Sequence, residues 1–356
     1  MTRETGSRLR PLVVRFGAMG DTVIVLALIQ ALHRRFGTVV DVAGSGMWAR
    51  PLLEGQPGVG QVYIVNSRRT PYPLSPGQWA LVRDLRARGP GPVWMCDHLP
   101  QALALLKRSG ITDEWLLQAS VDCPIRPGEH HVDRWLRFAQ QSPAALPPLG
   151  PATAADIVRD CTAPTLEVNP RWRSDLDTWL QHKGLAERPL VLIHAVNKRA
   201  MHKWLNPRRA SNTKHWPEDR WAVVIESVLQ RNPRAAVLLT GVPAEASVND
   251  DIARLVTSDR VLNVARELSI PRLLALQERA LGMISVDTGP AHSAAALDCP
   301  LVVLFGKLGK PDRYAPRSHR SPVTLLTGQF DGLPDIRGIA ASTVIDAWAR
   351  TELRRG

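Results

Sequence analysis

The stretch Ser285-Val286-Asp287-Thr288-Gly289-Pro290-Ala291-His292 decides how the rest of the chain is read. An apolar run, 281–286, leads into it. An Ala-rich run, 293–297, and a second apolar run, 301–305, follow. Short apolar runs separated by Asp, Thr, Gly and Pro predict strand, tight turn, helix, strand. Gly289 is expected to take a turn conformation closed to other residues. Pro290 falls at the start of the helix, where its missing N–H costs nothing. A helix N-terminus collects unpaired N–H groups and positive dipole charge. Thr288 adds a hydroxyl and His292 an imidazole. The combination suits an anion, most simply a phosphate. Asp287 beside it can accept from hydroxyls of the same ligand. The competing reading is a helix cap that serves only the fold, since Asp, Thr and Gly are common turn residues. Pro290 and His292 favour the ligand.

The chain has 356 residues, a length that suits two domains of ordinary size. Its apolar content, 44%, is that of a globular protein. Alternating apolar runs and amphipathic stretches favour the α/β class. The formal net charge of +12 points to acidic partners: nucleic acid, an anionic membrane or a phosphorylated substrate. A solvated basic surface gives the same number. Cys96, Cys123, Cys161 and Cys299 lie far apart and form no Cys-x-x-Cys pair. A metal site and a disulfide framework are therefore not expected, and a reducing cytoplasm is. Arg3, Arg8 and Arg10 precede an apolar stretch, as in a secretory signal, but Arg15 and Asp21 interrupt it. No apolar run approaches the ~20 residues needed to span a bilayer. A soluble protein that touches a membrane surface is the expectation.

Near the N-terminus, residues 12–16 predict a strand and Gly17-Ala18-Met19-Gly20-Asp21 the turn after it. Ile24, Leu28, Ala31 and Leu32 make a helical stripe over 22–35, and Gly37 fits its stop. With a strand at 39–42 this is a β-α-β unit, whose ligands bind beyond the strand ends. The Gly-x-x-Gly spacing differs from the dinucleotide fingerprint, so a nicotinamide cofactor is not indicated. Asp21 has two uses: capping the helix, the commoner one, or presenting a general base to the crevice.

Further strands are expected at 62–65 and 93–96, with helices at 78–88 and 100–108 and another opening at His130-His131. Adjacent histidines do not share a helix face, so surface or acceptor contact is preferred over metal there. The Pro- and Ala-rich segment 142–170 reads as the inter-domain connection. Asp175 and Asp177, on the helix 173–183, point to opposite sides and do not suit chelation. A second domain starts with the strand 190–193, ending in His194. A basic segment follows, and Lys214-His215-Trp216-Pro217-Glu218-Asp219 opens a helix with Pro217 in its first turn. Lys214 before that helix is placed to hold a diphosphate, although Lys203-Trp204 competes for the role. Strands at 236–240 and 261–264 and helices at 271–280 and 342–353 complete the pattern. Glu245 is expected in the loop after Gly241.

Three segments together resemble glycosyltransferase family 9, the ADP-heptose:lipopolysaccharide heptosyltransferases. They are 15–21 (Arg-Phe-Gly-Ala-Met-Gly-Asp), 214–217 (Lys-His-Trp-Pro), and 287–292 with 294–300. Residues 131–136 also resemble a first-domain helix of that family. The similarity runs over roughly 11–350. It implies the GT-B architecture: two Rossmann-like domains facing across a cleft, 1–165 for the acceptor and 166–340 for the nucleotide-sugar. A terminal helix, 341–356, would cross back to the first domain. It implies inverting, metal-independent transfer of heptose from ADP-heptose, with no cofactor, to a phosphorylated lipopolysaccharide-core or related glycan. Asp21 would be the base and Lys214 would neutralise the leaving diphosphate. Thr288, Gly289, Pro290 and His292 would hold phosphates. Asp287 would contact donor hydroxyls, His194 would join the donor site, and Glu245 would reach ribose or adenine. Gly17, Met19 and Gly20 would form the acceptor-side loop. Ala195-Val196 after His194 departs from the Pro-Gly of many members. The place implied is the cytoplasm, in peripheral contact with the anionic inner membrane. A nucleotide-sugar epimerase of the same architecture is the alternative. A nucleic-acid-binding module is disfavoured, because no such motif is present.

Overall fold

The computed structural model describes residues 9–65, 70–196, 215–306 and 311–354. It divides into two compact units, Met1–Thr165 and Leu166–Gly356. Among the described residues no helix is long and apolar enough to cross a membrane.

The first unit is built on five parallel strands: β1 Leu12–Arg15, β2 Val40–Ser45, β3 Val59–Val65, β4 Val93–Met95 and β5 Leu116–Gln118. Their order is β3-β2-β1-β4-β5. Leu12, Val13 and Val14 are fully buried because helices cover both faces of a parallel sheet. The chain moves outward from β1 through β2 to β3, then returns to place β4 on the other side of β1. The C-terminal ends of β1 and β4 thus flank a topological switch point, where open α/β sheets bind ligands. The helix after β1 begins at Met19, earlier than its apolar stripe predicts, and pauses at Val25 between Met19–Ile24 and Leu26–Phe36. Gly37 ends it in the left-handed conformation with φ of 57°, as its position predicts. The segment 142–170 holds a helix, Pro151–Val158, because its proline stands at the first helical position and starts a helix there.

The second unit has six parallel strands: β6 Leu190–His194, β7 Ala236–Leu239, β8 Val261–Asn263, β9 Gly282–Val286, β10 Leu301–Phe305 and β11 Val323–Thr327. The order is β11-β10-β9-β6-β7-β8, so the switch point lies between β6 and β9. His194 pairs in register with Ser285 there. The edge strand β11 has no counterpart in the sequence reading. Trp216 and Trp221 meet edge-on at 4.8 Å between ring centroids in this unit's core. Truncating such a buried Trp typically costs ~3–5 kcal/mol. The helix expected from Lys214 onward spans Glu218–Arg231; Pro217 is its N-cap, one step outside the first turn. Lys214, Lys203 and the other basic residues of 197–214 lie outside the described residues.

The last helix, Ala341–Arg350, packs on the second unit's core. It belongs to the second unit, where Val344, Ala347 and Trp348 are buried against the helix Glu218–Arg231 and β10. Arg354 continues the attachment, its N–H donating to the Leu281 carbonyl at 3.0 Å.

Candidate functional site

Each unit gathers polar side chains at its own switch point. In the first unit the helix Met19–Ile24 starts directly on the end of β1. Asp21 is its third residue. The carboxylate Oδ2 accepts the Ala18 backbone N–H at 3.0 Å, which is a capping bond. Oδ1 accepts from Arg15 Nη2 at 2.6 Å. Asp21 therefore caps its helix, and its side chain still keeps 25% of its surface exposed. Gly17 permits the arrangement: a Cβ there would lie 2.5 Å from Asp21 Cβ. Gly20 is buried in the first turn, while Met19 is half-buried.

Across the switch point, Asp97 follows β4. Its carboxylate accepts from the Phe16 and Leu99 backbone N–H groups, each at 3.0 Å, tying the two strand ends together. Arg15 Nη1 donates to the Cys96 carbonyl at 3.0 Å. Burial pulls the Arg15 guanidinium toward neutrality, but Asp21 outweighs it and the net shift is upward. Burial pushes the Cys96 thiol up to about 12. The paired histidines are not on the surface. His130 caps the helix His131–Ala139, its Nδ1 accepting from the Val132 N–H at 3.1 Å. His131 is buried against Trp135 and held down at about 4, first by desolvation and then by Arg134 and Arg15.

In the second unit, Asp287 and Thr288 follow β9 and lead into the helix Gly289–Ala296. Thr288 is the N-cap, yet its hydroxyl donates back to the Val286 carbonyl at 3.2 Å and takes no N–H of the helix. The cap side chain thus takes none of the first-turn donors, although the Ala291 N–H donates to the Thr288 backbone carbonyl at 3.2 Å and Pro290 has no N–H to offer. Gly289 is not among the glycines with left-handed backbone. The expected turn conformation is thus corrected, since Gly289 is simply the first helical residue. Pro290 comes second, and His292 is nearly buried one turn in. The start of this helix is clamped from the neighbouring helix Ile270–Arg279. Gln277 Nε2 donates to the Pro290 carbonyl at 2.8 Å, and Gln277 Oε1 accepts from Ser293 Oγ at 2.8 Å.

His194 ends β6 beside this turn. Its Nδ1 lies 3.1 Å from Thr240 Oγ1, whose hydroxyl is 3.1 Å from the Ile193 carbonyl. Burial shifts its pKa down, against the pull of Glu245. Burial thus favours the neutral imidazole. Glu245 is not in a loop. It closes a 3₁₀ turn, Pro243–Glu245, before the helix Ala246–Val256, and its Oε2 accepts the Val242 N–H at 3.0 Å. Asp175 and Asp177 pair separately with Arg272 and Arg279 at 2.9 and 2.6 Å, each across to another helix or its end. All four cysteines are buried, unpaired thiols.

Sequence reasoning gave no role to Arg15, Asp97, Thr240 or Gln277. Two left a signal. Arg15 is the only charge in the strand Leu-Val-Val-Arg, and Gln277 is a polar residue on the apolar face formed by Leu273, Leu274 and Leu276.

Two Rossmann-like α/β units, each with polar groups collected at its switch point, are the fold of GT-B glycosyltransferases. The chain belongs to glycosyltransferase family 9 (heptosyltransferase), whose profile matches residues 98–330. It is 23% identical over 337 residues to lipopolysaccharide heptosyltransferase 2 of Salmonella typhimurium, covering 90% of this chain and 89% of that one. Over 104 residues it is 33% identical to lipopolysaccharide heptosyltransferase 3 of Escherichia coli, 29% of this chain and 30% of that one. Its fold matches E. coli ADP-heptose lipopolysaccharide heptosyltransferase II with a TM-score of 0.72 at 18% identity, over 96% and 98% of the two chains. A family 9 glycosyl transferase from Veillonella parvula gives 0.75 at 15% identity, over 96% of each. The protein is a glycosyltransferase.

Proposed function

We propose that this enzyme transfers heptose from ADP-heptose to a lipopolysaccharide-core or related envelope glycan, with inversion and without a metal ion. The observation that carries the reading is the start of the helix Gly289–Ala296. Thr288 caps it without its side chain taking a helix N–H, at the switch point of a heptosyltransferase-family chain. The curated relatives are lipopolysaccharide heptosyltransferases, which supports the donor and acceptor.

In this reading the second unit holds the donor. Thr288, Gly289, Pro290 and His292 bind its phosphates. Asp287 meets sugar hydroxyls, and His194 and Glu245 meet the nucleoside. The first unit supplies Asp21 as base, with Gly17, Met19 and Gly20 shaping the acceptor side. The acceptor oxygen bonds to the anomeric carbon as the bond from that carbon to the diphosphate breaks. The electron pair leaves with ADP, and the acceptor proton passes to Asp21. General-base help of this kind is worth ~10²–10⁴-fold. Donors aimed at the departing charge contribute at least comparably. Lys214 is the assigned cation for that charge.

The test is stoichiometry. ADP-heptose is incubated with heptose-free lipopolysaccharide, and ADP and glycosylated product are counted. One ADP per product supports the reading; donor turnover with no acceptor present would point to an epimerase instead. The net charge of +12 supports a cytoplasmic enzyme in peripheral contact with anionic membrane. Co-sedimentation with phosphatidylglycerol vesicles at low salt, absent with neutral vesicles, is the expected result.

A further inference from the structure

We propose that Arg15 is the positioning residue of the base: it fixes one carboxylate oxygen of Asp21 and keeps that carboxylate ionised. The inference rests on Asp21 being the base and adds a residue and a pH range to that role. Arg15 closes an otherwise apolar strand, and a strand end made only for stability would be met by another Leu or Val. Its guanidinium works with two arms. Nη2 holds Asp21 Oδ1 at 2.6 Å, and Nη1 holds the Cys96 carbonyl at 3.0 Å across the switch point. The cation is therefore anchored to β4 independently of the acid it serves. Because the Ala18 N–H holds Oδ2 at 3.0 Å, both oxygens are fixed and the plane of the carboxylate is set.

The third nitrogen, Nε, is buried with no hydrogen-bond partner among the described residues. A Cβ on Gly17 would sit 3.0 Å from it. An orphaned buried donor opposes folding. Arg15 thus carries a stability cost, which fits a residue kept for its charge at this spot. The neighbours leave that charge undiluted. The Cys96 thiol is protonated, and His131, on the helix His131–Ala139, is neutral. On the same helix, Arg134 is committed to the Ala119 and Cys123 carbonyls at 2.6 and 2.8 Å. His130, beside it, uses Nδ1 as a helix cap. Asp97 is tied to the Phe16 and Leu99 N–H groups. Arg15 is in direct contact with Asp21.

A pH profile of kcat/KM tests this, using ADP-heptose with heptose-free lipopolysaccharide as acceptor. Removing a cation in contact with a carboxylate makes the acid form easier to populate, by about 1 pH unit or more. Arg15→Gln is therefore expected to move the acid limb to higher pH by that amount, with the rate recovering as pH rises. A rate lowered by one factor at every pH, with the limb in place, overturns the proposal. Arg15→Lys keeps the charge but not both arms, so kcat is expected to fall with the limb unmoved. Should Arg15→Gln not fold, an Arg15→Lys enzyme of unchanged kcat, or one whose limb moves, overturns the proposal alone. Asp21→Asn separates the two claims: full activity in that variant removes the base itself, whatever Arg15 does.

Discussion

Gly17→Ala is the smallest change that reaches the base without touching it. The new Cβ would lie 2.5 Å from Asp21 Cβ, and 3.0 Å from both Asp21 Cγ and Arg15 Nε. Carbon atoms meet comfortably at about 3.5 Å, so the closest contact falls about 1 Å short. Asp21 cannot yield by rotation alone, because the clash is with its Cβ. The helix Met19–Ile24 has to move off the strand end and take the carboxylate with it. Overpacking of this kind costs about 1–3 kcal/mol. For a unit of this size that lowers the melting temperature by several degrees, at ~2–4 °C per kcal/mol. A reacting group displaced by 1 Å can lose ~10²-fold in rate. The assays are kcat for ADP release and the dissociation constant of ADP. Binding of ADP is expected to hold, since the nucleotide site is assigned to the other unit. A Gly17→Ala enzyme with kcat within twofold of wild type refutes the reasoning.

Gln277→Leu strips the clamp from the helix Gly289–Ala296 and leaves the Ser293 hydroxyl its 3.1 Å contact with the Pro290 carbonyl. A loss of about 1–3 kcal/mol in thermal unfolding is expected, with weaker ADP binding by calorimetry; unchanged ADP affinity would make Gln277 structural only. Asp175→Ala with Asp177→Ala removes two exposed ion pairs worth at most about 1 kcal/mol each. Activity should persist in that double variant, and wild-type activity should survive EDTA; loss in either case would bring a metal into the mechanism. His131 titrates at about 4 in the folded chain, against an ordinary 6.5. Between those values the unfolded chain binds a proton that the folded chain refuses. Stability therefore falls as pH drops through that window, by at most about 3 kcal/mol, and the loss is complete below about 4. His131→Gln should lose less melting temperature than wild type between pH 7 and 4.5.

The parallel strands were legible because buried strands are continuous apolar runs; 301–305 was read to the residue. The edge strand Leu116–Gln118, three residues long, was not, and neither was Val323–Thr327. The latter is only partly buried and carries two threonines, so no apolar run marks it. Residues 287–292 announced a helix start because its requirements are local. Arg15 could be seen in sequence but not interpreted, because its partners are one turn ahead at Asp21 and on a strand 81 residues away. Of the two readings of His130 and His131, surface or acceptor contact, the surface one failed for the same reason: what buries them comes from the fold. Asp21 was left between capping and catalysis by its motif, and the geometry shows the cap while leaving a fixed, partly exposed carboxylate for the second use.

The most direct test is a pair of measurements on Asp21→Asn: the affinity for ADP-heptose by calorimetry and kcat for heptose transfer. The account predicts donor affinity within about threefold of wild type and a kcat lower by ~10²–10⁴-fold. Transfer at the wild-type rate would contradict it, as would a donor affinity that collapses together with the rate.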